Sequence, residues 1–141
     1  MHGKDISDYN AKTDYLFTNH HNTVAIGDGG NEVGMGNCGQ IIADNPKILI
    51  DKPCVTKVNE LVVASTSNWG GYGLIAALSE KKNINLLPSI QRELEILDGF
   101  VEAGAVDGVS QKQVSNVDGF STEENSAILE RLHNYLQSIG I

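Results

Sequence analysis

Val24-Ala25-Ile26-Gly27-Asp28-Gly29-Gly30-Asn31-Glu32-Val33-Gly34-Met35-Gly36 runs from an apolar, β-type segment straight into a turn dense in glycine. Glycine weakens strands and helices alike, so such a cluster is costly unless the backbone takes positive φ or closely approaches another group. Asp28, Asn31 and Glu32 offer two carboxylates and an amide from that turn. The rest of the chain reads as the support of this loop.

Outward from the loop, Thr23–Ile26 reads as a short buried strand, and a helix is expected upstream from about Asp8 to His20. His20 and His21 are adjacent, so on a helix they diverge by about 100° and do not chelate one ion. Downstream, a weak helix or irregular segment is expected before Asn45-Pro46 and a second strand over Lys47–Asp51. An edge or loop segment follows at Val55–Val58, then a β-branched buried strand at Leu61–Ser65. That strand enters Thr66-Ser67-Asn68-Trp69-Gly70-Gly71, with Asn68 as the expected N-cap of a helix ending near Lys81-Lys82. Pro88 suits the first turn of the next helix, which carries Leu94, Leu97 and Val101 and stops at Gly104. Ser121-Thr122-Glu123-Glu124 is a capping box opening a last helix with Ile128, Leu129, Leu132, Tyr135, Leu136 and Ile139 on one face. Strands alternate with helices, so the class is α/β: one three-layer domain over 1–141, with a mostly parallel sheet and flanking helices.

In such sheets ligands sit beyond the carboxyl ends of the strands. Gly27–Gly36 and Ser65–Gly71 both follow strands and share that edge if the strands are parallel. Val106-Asp107-Gly108 and Val117-Asp118-Gly119 are candidates to join them, a placement that the sequence alone does not show.

With 141 residues and 40% hydrophobic content the chain is of one-domain size and has material for a core. Ten Lys+Arg against 18 Asp+Glu give a net charge of −8, which argues against nucleic acid and anionic membranes as partners. No apolar run is long enough to span a bilayer, and the N-terminus lacks a signal-like apolar core. Cys38 and Cys54 show no CxxC spacing and read as reduced, buried thiols of a cytoplasmic protein.

Gly34-Met35-Gly36-Asn37-Cys38-Gly39 fits GxGxxG, but it starts too far beyond the strand for a dinucleotide site, and no P-loop ending follows. Ser65 and Ser67 lack a nucleophile elbow and read as turn and cap hydroxyls. Trp69 and Tyr72 suit a pocket wall. Asp28, Asn31, Glu32, Asp107 and Asp118 are oxygen donors of the kind hard cations take. Neither glycine loop carries Lys or Arg, so an anionic substrate there calls for helix N-termini or a divalent cation.

Gly27–Gly36 resembles the signature of the D-glutamate cyclase family, as do Ser65–Gly71, the two Val-Asp-Gly segments, and Gly3–Ser7 with Tyr15–Phe17. The resemblance covers nearly the whole chain, as the C-terminal part of the cyclase domain. It implies interconversion of D-glutamate and 5-oxo-D-proline with loss of water. Asp28, Glu32 and Asn31 would then be catalytic, and Gly29, Gly30, Ser67, Asn68 and Trp69 would bind substrate. Asp28, Asp107 and Asp118 would hold Mn²⁺ or Mg²⁺. The family pattern has a comparably large region before Gly3. The expected partners are therefore a small amino acid and either a second copy of the chain or the preceding half. The alternative is a shortened, non-catalytic relative that binds a metal ion or a small carboxylate.

Overall fold

The computed structural model describes residues 7–141; Gly3–Ile6 of the upstream motif lie outside them. Two compact units divide at Gly70/Gly71. The first contains α1 (Tyr15–Thr18), β1 (Val24–Gly27), α2 (Gly39–Asp44), β2 (Glu60–Val63) and the start of α3 (Ser67–Lys82). The second contains the rest of α3, then α4 (Ile90–Glu102) and α5 (Thr122–Ser138).

β1 and β2 pair in parallel, with Val24 opposite Glu60 and Gly27 opposite Val63. The α/β class stands at the level of helices around this two-stranded parallel sheet. Leu61 and Val62 are only half-buried, against the expected buried strand, because no third strand flanks the pair among the described residues. The crossover from β1 to β2 passes through a 3₁₀ turn at Met35–Cys38 and α2.

Two sequence expectations fail in this unit. The helix expected from Asp8 to His20 shrinks to the single turn of α1, which buries no residue and so lacks the packing that stabilises a short helix. His20 and His21 lie outside it and are exposed. Lys47–Asp51 forms no strand. Its Leu49 points to solvent at 87% exposure, and Ile50 reaches Gly30 instead of a sheet neighbour.

Val55–Val58 takes the loop form of the two expected for it, and it is tightly held. The Cys54 amide donates to the Gly30 carbonyl at 2.9 Å, and the amides of Gly34 and Gly36 both donate to the Thr56 carbonyl at 3.2 Å. Asn37 brackets Val58, its Nδ2 donating to the Val58 carbonyl at 2.9 Å and its Oδ1 accepting the Val58 amide at 3.0 Å. A glycine-rich loop thus satisfies its backbone groups against a second irregular segment, which is how such segments avoid unpaired polar atoms. Both cysteines are free and half-buried instead of buried. The Cys54 thiol reaches back to the Thr56 carbonyl.

In the second unit the helix signals hold. α4 starts beyond Pro88, which was expected inside its first turn: Ser89 caps it by accepting the Arg92 amide, and Pro88 precedes that cap. α5 opens with the full Ser121/Glu124 capping box. α4 closes on Gly104 at φ 96°, with the Ala105 amide on the Phe100 carbonyl and the Gly104 amide on that of Val101. α5 closes in the same way on Gly140, and α3 on Asn83. Leu129 and Leu136 are fully buried on the inner face of α5. Each contributes about 1.5–3 kcal/mol of apolar burial. The Tyr72 hydroxyl donates to the buried Glu93 carboxylate and ties α3 to α4.

Candidate functional site

Parallel pairing puts the carboxyl ends of β1 and β2 at one edge, and the two loops expected there meet. Asp28 is the residue after β1, and Ser67 opens α3 just past β2. Asp28 Oδ2 accepts the Ser67 amide at 2.7 Å and the Ser67 hydroxyl at 2.6 Å. These are short, charge-assisted bonds, and a carboxylate at a helix N-terminus also meets the favourable end of the dipole. The Ser67 proton is committed to Asp28, so Oγ presents only lone pairs outward.

Asn68 is not the cap that the sequence suggested. The Thr66 carbonyl accepts the amides of Trp69 at 3.1 Å and Gly70 at 3.4 Å, so the helix begins ahead of Asn68. Asn68 is exposed on the first turn and Trp69 is half-buried beside it. The first turn of α3 can lie close to β1 because residue 70 is glycine: a Cβ there would meet Ile26 Cγ2 at 2.5 Å.

The Gly29 and Gly30 amides converge on Glu32. Its Oε2 accepts Gly30 N at 2.9 Å and Gly29 N at 3.2 Å, and Oε1 lies 3.2 Å from Gly29 N. Asn31 is exposed at the tip of the loop. Asp28, Glu32, Gly29, Gly30 and Ser67 therefore sit on one short stretch of edge.

The GxGxxG glycines serve packing. Gly34 sits at φ +97°, and a Cβ on it would lie 2.5 Å from the Ala25 Cβ. A Cβ on Gly36 would lie 2.5 Å from the Val55 carbonyl oxygen. Their amides are spent on Thr56, which leaves no phosphate cradle. An open cleft of about 530 Å³ lies at the other, amino end of the strands, bordered by Thr23, Asn59, His20 and Lys57.

Asp107 and Asp118 belong to the second unit. Asp107 is buried, and its carboxylate accepts the Ser110 amide at 2.7 Å and the Gly119 amide at 3.0 Å. The hydroxyl and amide of Ser110, with the amides of Gly119 and Asp118, hold its pKa below the ordinary carboxylate value despite the opposing effect of burial. The Ser110 hydroxyl lies beside the carboxylate, although its geometry falls short of a full hydrogen bond. Asp118 and Gly119 are the two central residues of a tight hairpin turn, at φ 50° and 85°, closed by mutual bonds of Val117 and Phe120. Asp-Gly in such a turn is the residue pair that its backbone demands. Among the described residues no group of three or more His, Cys, Asp or Glu side chains is arranged to hold a metal ion. Of the expected metal ligands in the second unit, Asp107 is filled by amides and Asp118 shapes a turn.

Sequence reading missed the bond between Asp28 and Ser67 and the role of residues 54–58. A carboxylate one residue beyond one strand, and a hydroxyl at the start of a helix after the next, was the available signal for the first. Nothing in the composition of 54–58 pointed to the second.

No helix among the described residues is long and apolar enough to cross a membrane. A 56-residue stretch is 38% identical to the human protein "D-glutamate cyclase, mitochondrial", covering 40% of this chain and 9% of that relative. The model of the family described as D-glutamate cyclase-like, C-terminal, matches residues 1–133. The chain belongs to the D-glutamate cyclase-like, C-terminal family.

Proposed function

We propose that the chain takes part in interconverting D-glutamate and 5-oxo-D-proline, as a lyase of the cyclase type, with the reaction centred on the edge formed by Asp28 and Ser67. The observation that carries this reading, beyond family membership, is the pair of short bonds from Ser67 to Asp28 beyond two parallel strand ends. In the forward direction the substrate ammonium loses a proton, its nitrogen attacks the side-chain carboxyl carbon, a C–N bond forms, and a C–O bond breaks. The leaving oxygen departs as water with both protons that the nitrogen has given up. Ser67 Oγ, with its own proton turned to Asp28, accepts a hydrogen bond from the ammonium and orients it. Asp28 then takes each of the two protons in turn through Ser67 and returns it to the leaving oxygen, which is general acid–base work. Asn31, Asn68 and Trp69 are candidates for orienting the rest of the substrate. In the same reading the three-layer sheet expected from the sequence is completed by further strands beside β1 and β2, from a second copy or a companion polypeptide.

Incubation with D-glutamate, or with 5-oxo-D-proline for the reverse direction, followed by chromatographic separation of the two, tests this. Conversion that disappears in Asp28→Asn is the expected result. No conversion in either direction, with carboxylate binding intact, supports the second reading, a non-catalytic carboxylate binder. That second reading is favoured by one observation: the Gly29 and Gly30 amides already hold a carboxylate, that of Glu32.

A further inference from the structure

Two successive backbone amides converging on one oxygen make a small anion-binding concavity. The Gly29–Gly30 pair is of this kind, and it differs from the other glycine amides of the loop. Those of Gly34 and Gly36 are spent on a fixed backbone carbonyl, that of Thr56. Those of Gly29 and Gly30 are satisfied by a side chain, which can leave by rotation. The concavity itself is held in place, because the Gly30 carbonyl accepts the Cys54 amide at 2.9 Å. Its occupant is held less firmly. Two of the three Glu32 contacts are 3.2 Å long, at the upper end of the hydrogen-bond range. The one ion pair among the described residues joins Arg92 and Glu95, so no cation of the described residues pairs with Glu32. Gly29 is exposed and Gly30 is buried, so an external carboxylate reaches the pair from the Gly29 side.

We infer that the Gly29–Gly30 amides form a subsite for a substrate carboxylate and that Glu32 is its built-in, displaceable occupant. This recasts Glu32 from a catalytic residue to a stopper. When no ligand is present, Glu32 keeps the two amides paired. A free carboxylate of the same shape and charge replaces it and receives the same bonds. The apparent affinity for that ligand is lowered by the fraction of molecules in which Glu32 has swung out. The inference rests on the cyclase-type reading only for which carboxylate is the natural ligand.

Acetate is the probe, and the readout is the amide resonances of Gly29 and Gly30 in ¹⁵N-labelled protein. Wild type, Glu32→Ala and Glu32→Gln are titrated at low and at high salt. If the open form is about one-tenth populated, Glu32→Ala reaches its midpoint at about one-tenth of the wild-type acetate concentration. Glu32→Gln, which keeps a carbonyl acceptor but no charge, falls between the two. The difference between Gln and Ala persists at high salt, which screens the exposed charge but not local hydrogen bonds. Equal midpoints in all three proteins overturn the inference. So does a gain that is the same in both variants and vanishes with salt, or the absence of any shift at Gly29 and Gly30. Should Glu32→Ala fail to fold, a Glu32→Gln midpoint below wild type at high salt carries the same conclusion, and one equal to wild type overturns it. Turnover is not read, so a failed cyclase assay and a failed subsite are told apart.

Discussion

The Asp28 carboxylate holds the amide and the hydroxyl of Ser67, 39 positions further along the chain, at 2.7 and 2.6 Å. One oxygen thereby joins the turn after β1 to the first residue of α3. It caps a helix from a distant part of the sequence and fixes the direction of the only hydroxyl proton that Ser67 has.

Asp28→Ala removes both bonds and leaves the Ser67 amide without its carboxylate. The expected loss is about 1–2 kcal/mol of stability, measured by urea denaturation. Asp28→Asn keeps one acceptor oxygen and loses less, while turnover of D-glutamate falls away because the amide does not take a proton. Wild-type stability in both variants is the outcome that removes this contact from the fold.

The loop glycines divide into two kinds. Gly34→Ala combines a left-handed φ with a contact to the Ala25 Cβ, and is expected to cost about 2 kcal/mol or more. Gly39→Ala, in helical conformation with nothing within 4 Å of its Cβ, is expected to be neutral or to stabilise by up to about 1 kcal/mol. Thermal denaturation of the two variants checks the contrast. A reversed order contradicts the packing account of the GxGxxG pattern.

Asp107 should show itself in acid. Its pKa is depressed in the folded state, chiefly by the hydroxyl and amide of Ser110, from an ordinary value of 3.8. The unfolded chain therefore binds its proton more readily, and stability falls as the pH drops through that ordinary value toward the lower folded-state one. Above it the contribution is complete and independent of pH. Asp107→Asn is expected to flatten the acid limb of a stability-against-pH profile. An unchanged limb would falsify the assignment.

Ser121→Ala breaks the capping box of α5 and is expected to cost about 1 kcal/mol. Glu124→Ala removes the reciprocal bond to the Ser121 amide and should cost less, since that donor can turn to water. Denaturation midpoints of the two variants measured side by side decide it.

Where the sequence was read correctly, the signal was local. The capping box, the stop at Gly104 and the buried stripe of α5 depend on residues within a turn or two of one another. The parallel direction of β1 and β2, and hence the meeting of the two loops, came from the alternation of element types. What failed depended on distant partners. Ile48-Leu49-Ile50 has strand-forming residues but no neighbouring strand to pair with. Tyr9, Leu16 and Phe17 offered too thin an apolar face to hold a helix beyond one turn. Asn68 is a good cap by type, but Thr66 and Asp28 had already supplied the acceptors. The glycines looked like ligand contacts, yet Gly34 and Gly36 are required by Ala25, Val55 and Thr56, none of which a local pattern reveals.

The four-rung pairing of β1 with β2 closes a crossover that is mostly irregular, and this has a kinetic consequence. Long-range closure costs chain entropy before any contact rewards it, whereas the turns of α4 and α5 form from neighbouring residues. The Asp28–Ser67 bond spans the same closure, so it should be among the late events of folding. Pulsed hydrogen exchange is expected to protect the amides of α5 before that of Ser67; simultaneous protection would contradict this order. A chain caught before that step would have its helices and no site.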